Sequence, residues 1–514
     1  MPRAMRPERA EDWSRRARER VAAGDLTGAL DAYQQALALE PQSLDIAGHL
    51  AGLAFRLGQF DMAEKFYAHV ITKGRQDTAT LTAYVAALRE QSRYDEAIDL
   101  LKNIVGQRPG EAALWEGLGA VMAARGDCDT ALVFFEEALR LDPDDVHARF
   151  QRGCALLDKG ETRTGLRDVI VCADTFRDPD NRASAGITAA QALLALGELP
   201  AGWARYAARH KAGIVHEVVY DLSLPRWRGG DIKSTRLFVS AEQGLGDEVL
   251  FGTLLPDLAA EAASLGIGVE PRLVPLFQRS FPGAVVVAHG TQARDGRVWR
   301  DFPELDQDGF DHWACMGDFL AGKRGRIADF PARAAFLTPD PARVEHWRAY
   351  LAALGPEPKV GLLWKSMKHN AQRDRYFSPF AQWKDILALD GVQFINLQYG
   401  DTAAEMAEAE AAGFSIHTPQ GIDLKQDLDD LAALCSALAL VLGPSNATSN
   451  IAAACGVPVW ILTTPGAWQK LGTDRYPWYP TARTFAPPTL ADWSPAMAEI
   501  RVALVAEFSA PCKD

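Results

Sequence analysis

A period of 34 residues runs through residues 10–177, and it constrains this chain more than any other feature. Alanine recurs at Ala29, Ala63, Ala97 and Ala131, and Gly165 keeps the register. Four residues further on stand Tyr33, Tyr67, Leu101, Phe135 and Val169. Gly24, Gly58, Gly126 and Gly160 recur between these blocks, with Ser92 in that place once. Pro41, Pro109 and Pro143 close repeats, and Trp13 and Trp115 share one position. A small residue lets two helices cross closely, and a large one fills the groove beside it. The glycine supplies the turn between the two. No helix pair of this kind can bury its apolar face alone, so the pairs must stack.

This is the tetratricopeptide pattern, and it predicts an α solenoid with a concave face over residues 10–177. The concave face is expected to bind a partner protein. The competing reading is an array that only rigidifies or dimerises the chain. The asparagine ladder of O-GlcNAc transferase repeats is missing, and Gly117 stands at the matching place. Residues 174–182 are polar and turn-rich and read as a break. A capping helix pair is expected at Ala183–Leu196 and Ala201–His210, then a linker through Ile214–Lys233. Capping helices and linker together take residues 178–225.

After Lys233 short apolar runs alternate with helical stretches. The expected strands are Leu237–Ser240, Gly266–Glu270, Ala284–Ala288, Val360–Trp364, Val392–Leu397, Leu438–Gly443 and Val457–Leu462. Strands spaced this way predict parallel sheets. The helical stretch Pro341–Leu354 divides them into two α/β, Rossmann-like lobes, residues 226–340 and 341–514, with a cleft between. The last helix is expected at Pro495–Phe508.

Composition excludes several classes. With 514 residues the chain needs more than one domain. Its 67 acidic residues outnumber 54 Lys and Arg, a net charge of −13, which argues against a general nucleic-acid-binding face. Arginines at Arg3, Arg6, Arg9, Arg15 and Arg16 precede no apolar segment, so no secretory signal is expected. No apolar run approaches about 18 residues, so no membrane-spanning helix is expected. Seven cysteines with no CxxC pair suggest neither a disulfide framework nor a zinc site, and fit a reducing cytoplasm. Pairs such as Asp306/Asp308 and Asp427/Asp429 arise by chance in so acidic a chain, and no HExxH, GxxxxGK[ST] or GxSxG occurs. No essential metal is expected.

Four stretches could carry chemistry. In Leu237–Gly252 a strand meets Gly244 and Gly246, then Asp247 and a helix over Glu248–Leu255. Asp247 reads equally as a helix cap or as a proton acceptor at a strand's end. Trp364–Arg375 concentrates Lys365, Lys368, His369, Arg373 and Arg375 after a strand, which suits a phosphate; the alternative is a solvated basic loop. Gly443–Gly456 opens a helix with Ser445, Asn446, Thr448 and Ser449, whose amides and hydroxyls suit an anion, a cap, or both. In Phe310–Gly317, Asp311 and His312 adjoin a tryptophan in an expected loop, and His312 could act as acid or base.

AEQGLGDEVLF, the basic stretch after KVGLLW, NLQYG, GPSNAT, PVWIL and LGTDRYPWYPTARTF occur in this order. With the repeats upstream they resemble tetratricopeptide-repeat proteins carrying a heptosyltransferase-like GT-B glycosyltransferase domain. Within that group the chain is similar to the flagellin or surface-protein glycosylation branch. The resemblance implies a metal-independent transferase that uses a nucleotide-activated sugar as co-substrate and no cofactor. Asp247 would be the catalytic base, and Lys365 would neutralise the leaving phosphate. Lys368, Arg373, Gln398, Tyr399 and Ser445, Asn446, Ala447, Thr448 and Ser449 would complete the nucleotide-sugar side. Glu242, Gln243, Gly244, Gly246, Asp311 and His312 would form the acceptor side. Ser445 and Asn450 depart from the aspartate and histidine that heptosyltransferases carry there. Two other readings remain: a non-catalytic scaffold on a degenerate fold, and a transferase with a small-molecule or lipid-linked acceptor.

Overall fold

The computed structural model describes residues 9–210, 218–242, 244–294, 297–366, 375–490 and 492–508. They fall into two compact units. The first is Met1–Leu156 with Ala293–Arg297 and His369–Arg375; the second takes Leu157–Gln292, Val298–Lys368 and Tyr376–Asp514.

The first unit is a stack of antiparallel helices: α1 (Ala10–Ala22), α2 (Leu26–Leu39), α3 (Leu44–Arg56), α4 (Phe60–Thr72), α5 (Thr78–Glu90), α6 (Tyr94–Gln107), α7 (Ala112–Ala124), α8 (Cys128–Leu141) and α9 (Val146–Asp158). The sequence period explains it. Ala29, Ala63, Ala97 and Ala131 are fully buried. Side chains grown where helices cross would collide: a Cβ on Gly119 of α7 would meet the Phe135 ring of α8 at 2.6 Å. The turn residues are left-handed, Gly58 at φ 74° and Gly126 at φ 94°, and Ser92 takes the same conformation at φ 59°. Asp25 and Asp127 follow such turns and Asp77 the connection between α4 and α5, and they cap α2, α8 and α5 by accepting from the Gly28, Thr130 and Thr80 amides.

The second unit begins with α10 (Thr162–Thr175), α11 (Pro179–Ala195) and α12 (Leu199–Tyr206). The expected break at 174–182 instead starts α11: Asp178 caps it and Pro179 takes its first position. These helices pack on the C-terminal segment, where a Cβ on Gly472 would lie 2.5 Å from the Gly197 nitrogen. Their grouping with the sheets follows from this contact, and the compact unit holding the repeats stops at Leu156, short of residue 177.

Three sheets follow. β1 (Val218–Tyr220), β6 (Arg297–Asp301) and β5 (Gly290–Arg294) form a small one, β1 running parallel to β6. β2 (Arg236–Ser240), β3 (Ser264–Val269), β4 (Val285–Ala288) and β7 (His312–Cys315) form a parallel sheet in the order β4-β3-β2-β7. β8 (Lys359–Leu362), β9 (Gln393–Asn396), β10 (Ile416–His417), β11 (Leu440–Pro444), β12 (Val459–Leu462) and β13 (Ala482–Phe485) form a parallel sheet in the order β10-β9-β8-β11-β12-β13. That is the strand order of doubly wound open sheets. The remaining helices are α13 (Leu245–Phe251), α14 (Leu255–Glu261), α15 (Val274–Ser280), α16 (Leu320–Lys323), α17 (Pro341–Ala352), α18 (Lys384–Leu387), α19 (Ala403–Ala411), α20 (Leu428–Ser436), α21 (Ala447–Ala454) and α22 (Ser494–Phe508).

The seven expected strands all form, with ends shifted by at most two residues. β7 corrects the loop expected at His312. The small sheet and the edge strands β10 and β13 were not expected, because short polar runs such as β5, GTQAR, carry no apolar signal. One continuous apolar core joins both parallel sheets, from Phe251 and Leu276 through Trp347 to Leu431, Ile451 and Trp478. Arg279 of α15 clamps Asp429 of α20 with two bonds of 2.8 Å. The two parallel sheets are thus held together by a shared core and this ion pair. Among the described residues no helix is long and apolar enough to cross a membrane.

Candidate functional site

Strand order reverses between β2 and β7 in one sheet and between β8 and β11 in the other. Ligands of open α/β sheets sit beyond the carboxyl ends of the strands at such reversals. The Gly244–Asp247 turn follows β2, and Ser445–Ser449 follows β11, so each motif lies at a reversal. Lys365 and Ser445 stand at the same level beyond two paired strands, since Leu362 is registered with Leu442.

The two helix starts touch. A Cβ on Gly246 would lie 3.5 Å from the Ala447 nitrogen and 3.7 Å from Asn450 Nδ2. Gly244 is extended at φ −116°, so it is not there for a left-handed turn. A Cβ on it would sit 3.3 Å from Asp247 Oδ2. Gly244 itself is the cap of α13, and Asp247 is the third residue of the helix, exposed, its carboxylate close to the cap. Asp247 is therefore not the N-cap itself but stands at the third helix position, from which a carboxylate can also reach back to the cap. Helix starts carry a partial positive charge of about +0.5 each, so their meeting favours an anion.

Buried Tyr476 and half-buried Tyr206 lie near Asp247. Burial pushes both phenols up, and the Asp247 charge adds to it for Tyr206 of α12 and for Tyr476. Tyr476 Oη also lies 3.2 Å from Ser445 Oγ. Asp247, Tyr476 and Ser445 therefore converge from two lobes. Sequence reasoning did not single out either tyrosine. Tyr476 had a signal, its place in LGTDRYPWYP; Tyr206 had none.

At the start of α21, Asn446 Oδ1 accepts from the Ser449 amide, and Ser449 Oγ accepts from the Asn446 amide. Both therefore serve as a capping box, and Thr448 is buried. Asn446 Nδ2 and Asn450 Oδ1 are buried with no hydrogen-bond partner among the described residues. Buried polar atoms left unpaired at a helix start are rare and mark a place where a ligand's polar atoms fit. The amides of Ala447 and Thr448, as first-turn positions, have no acceptor within the helix.

Other expected site residues have structural tasks. Glu242, expected on the acceptor side, is buried, paired with Arg209 at 2.8 Å and accepting from the Gly317 amide at 2.7 Å. Its carboxylate is consumed in the core. Glu248, next to Asp247, is likewise buried and meets the Glu270 amide, His289 and Arg300. Gln398, expected to touch the donor, accepts from the Trp364 and Lys365 amides and donates to the Tyr399 carbonyl, so it braces the end of β8. Lys365 Nζ is held by the Glu405 carboxylate and the Asp401 carbonyl. Burial pushes the Glu405 carboxyl up, but its hydrogen bonds, led by the one from Lys365, hold it below the usual glutamate value.

His312 opens β7 at the amino end of the sheet, opposite the Asp247 turn, and Asp311 lies in the bend just before it. Asp311 is tied to Arg236 at 2.7 Å and does not join the convergence. Tyr399 is half-buried beside Gln398. Gln243, Lys368 and Arg373 lie outside the described residues.

A tetratricopeptide-repeat family model matches residues 20–87 and 88–157. Over 493 residues the chain is 45% identical to protein FlbA of Caulobacter vibrioides, covering 95% of this chain and 82% of that protein. Two shorter similarities span small parts of their relatives. Cellulose synthase operon protein C of Pseudomonas fluorescens is 28% identical, covering 29% of this chain and 12% of that one. Protein O-mannosyl-transferase TMTC1 of Homo sapiens is 25% identical, covering 26% and 19%. Among solved structures, a thermophilic TPR protein of Thermus thermophilus is similar at a TM-score of 0.31 and 22% identity, over 36% of this chain and 99% of that one.

Proposed function

The chain belongs to the family of protein FlbA, and on that premise we propose that it is a metal-independent glycosyltransferase of GT-B arrangement. It moves a sugar from a nucleotide-activated donor to a protein hydroxyl brought in by the repeat array, on an acceptor of the flagellin or surface-protein class. The work is assigned to a reducing cytoplasm, which suits a chain with no CxxC pair. The observation that carries this proposal is the meeting of the two helix starts at Gly246, with Asp247, Tyr476, Ser445 and two unpaired amide atoms around it.

The acceptor oxygen attacks the anomeric carbon as the bond to the leaving phosphate breaks. Asp247 takes the hydroxyl proton, help worth about 10²–10⁴-fold. The Ala447 and Thr448 amides meet the charge gathering on the phosphate, aided by the positive end of α21. Lys365 contributes only when the donor draws it from Glu405. The similarity to a relative named as a protein O-mannosyl-transferase supports a protein hydroxyl as acceptor.

One arrangement favours a second reading, a non-catalytic scaffold: Lys365 is neutralised by Glu405, and Ser445 and Asn450 replace a charged pair. Two measurements separate the readings. Nucleotide sugars are screened for thermal stabilisation of the chain, and one stabilising donor is expected; no shift with any of them selects the scaffold. Asp247→Asn is then expected to keep that shift and lose transfer, read by mass spectrometry of the acceptor. Transfer near the wild-type rate removes Asp247 as base.

A further inference from the structure

The first two repeats build a pocket that the sugar-transfer reading does not use. It is an open depression of about 350 Å³ on α1, α2 and α3, lined by Arg18, Arg56, Gly48 and Gly52, with Tyr33 and His49 stacked beside them. The Tyr33 and His49 rings are 5.1 Å apart at 20°.

The glycines are the informative part. A glycine inside a helix is destabilising by about 0.8–1 kcal/mol relative to alanine, so a packing or torsional reason is usually found. Neither applies here. A Cβ on Gly48 would come no closer than 3.6 Å to any side chain, and one on Gly52 no closer than 3.7 Å. Both are ordinary contacts, and neither residue has a positive φ. Two bare positions one turn apart keep open a space that alanines would begin to fill.

The arginines point the same way. Five other arginines of the array are held by carboxylates, Arg20 by Asp25, Arg75 by Asp45, Arg93 by Glu96, Arg125 by Asp95 and Arg140 by Glu137, while Arg108 meets the Gln76 carbonyl. Among the described residues, Arg18 and Arg56 have no carboxylate within ion-pair distance, and both are exposed at the pocket. A guanidinium is a fork shaped for a carboxylate.

We propose that this pocket takes a carboxylate side chain from an extended acidic segment of a partner protein, gripped by Arg18 and Arg56 above the glycine floor. The space holds one or two side chains rather than a nucleic-acid backbone. The inference rests on the partner-binding half of the reading above and not on sugar transfer.

The test uses the full chain without sugar donor and a fluorescein-labelled Glu–Ser repeat peptide, followed by anisotropy. The same peptide with Gln for Glu is the control. The Glu peptide is expected to bind at least about tenfold more tightly, a difference of ~1.4 kcal/mol. The double variant Arg18→Ala/Arg56→Ala should erase that preference with unchanged helical circular dichroism. Gly52→Leu should weaken binding with the charges intact. Equal binding of the two peptides, a preference that survives the double variant, or tighter binding of oligo-dT overturns the proposal. A chain that transfers no sugar yet prefers the Glu peptide retains it; one that transfers sugar without that preference loses it.

Discussion

In the repeat array, Arg93 meets Glu96 at 2.7 Å and Glu64 at 3.5 Å on a partly solvated surface, with partners three residues or about one repeat away. In the sheet region, Arg209 is 4% exposed and meets Glu242 at 2.8 Å and Asp318 at 3.2 Å, partners far along the chain. Arg279 reaches Asp429 from the other lobe in the same way. Charges in the array decorate helices whose stacking is decided by apolar period. Charges in the sheets hold the fold together, because a buried ion must be paired and hydrogen-bonded or its desolvation is uncompensated. The contrast also explains the site: Asp247 is exposed and faces the convergence, while its neighbours Glu242 and Glu248 are consumed inside.

The sharpest break of this comparison is Arg209→Ala. It strands Glu242 without its cation and is expected to destabilise the sheet region by about 3–5 kcal/mol. Urea unfolding followed by tryptophan fluorescence measures it, with Arg93→Ala as the array counterpart and little change expected there. Equal losses would erase the distinction between the regions.

Glu116 on α7 is the array's exception. Burial, with Asp145 nearby, pushes its carboxyl up to about 7, and Arg89 only partly opposes this. A folded value above the unfolded one means that the folded array keeps its proton while the unfolded chain has lost it. Stability is therefore expected to fall as pH rises from the ordinary glutamate range to about 7, then level. The full span is up to roughly 3 kcal/mol. Glu116→Gln should flatten that slope in thermal melts taken across pH; an unchanged slope assigns it to other groups.

The smallest effect tests the turn. Ser92 is left-handed at φ 59° where the other repeats carry glycine. Ser92→Gly is expected to stabilise the array by about 0.5–1 kcal/mol, seen as a raised melting temperature. A loss instead would show that the Ser92 side chain holds the turn.

Legibility differed between the regions for a physical reason. The burial of Ala29 and the left-handed turn at Ser92 follow from a period, and a period is visible in one dimension. The strand–turn–helix placement of Asp247 and of Ser445–Ser449 was equally visible, because apolar runs and small residues mark it. The strand opened by His312 was missed because four residues at a sheet edge make too short a pattern. Tyr206 was missed because nothing around it in the chain announces that α12 will stand beside Asp247.

By itself the sequence determined the stacked helix pairs, the parallel strands and the acid that follows the first of them. Only the tertiary structure decided which charges face outward. Glu405 neutralises Lys365, Arg209 takes Glu242, and Tyr476 comes to Ser445 across segments far apart in the chain. Those pairings are set by burial, which makes an unpaired charge or hydroxyl too unfavourable to leave, and burial depends on what the fold brings alongside.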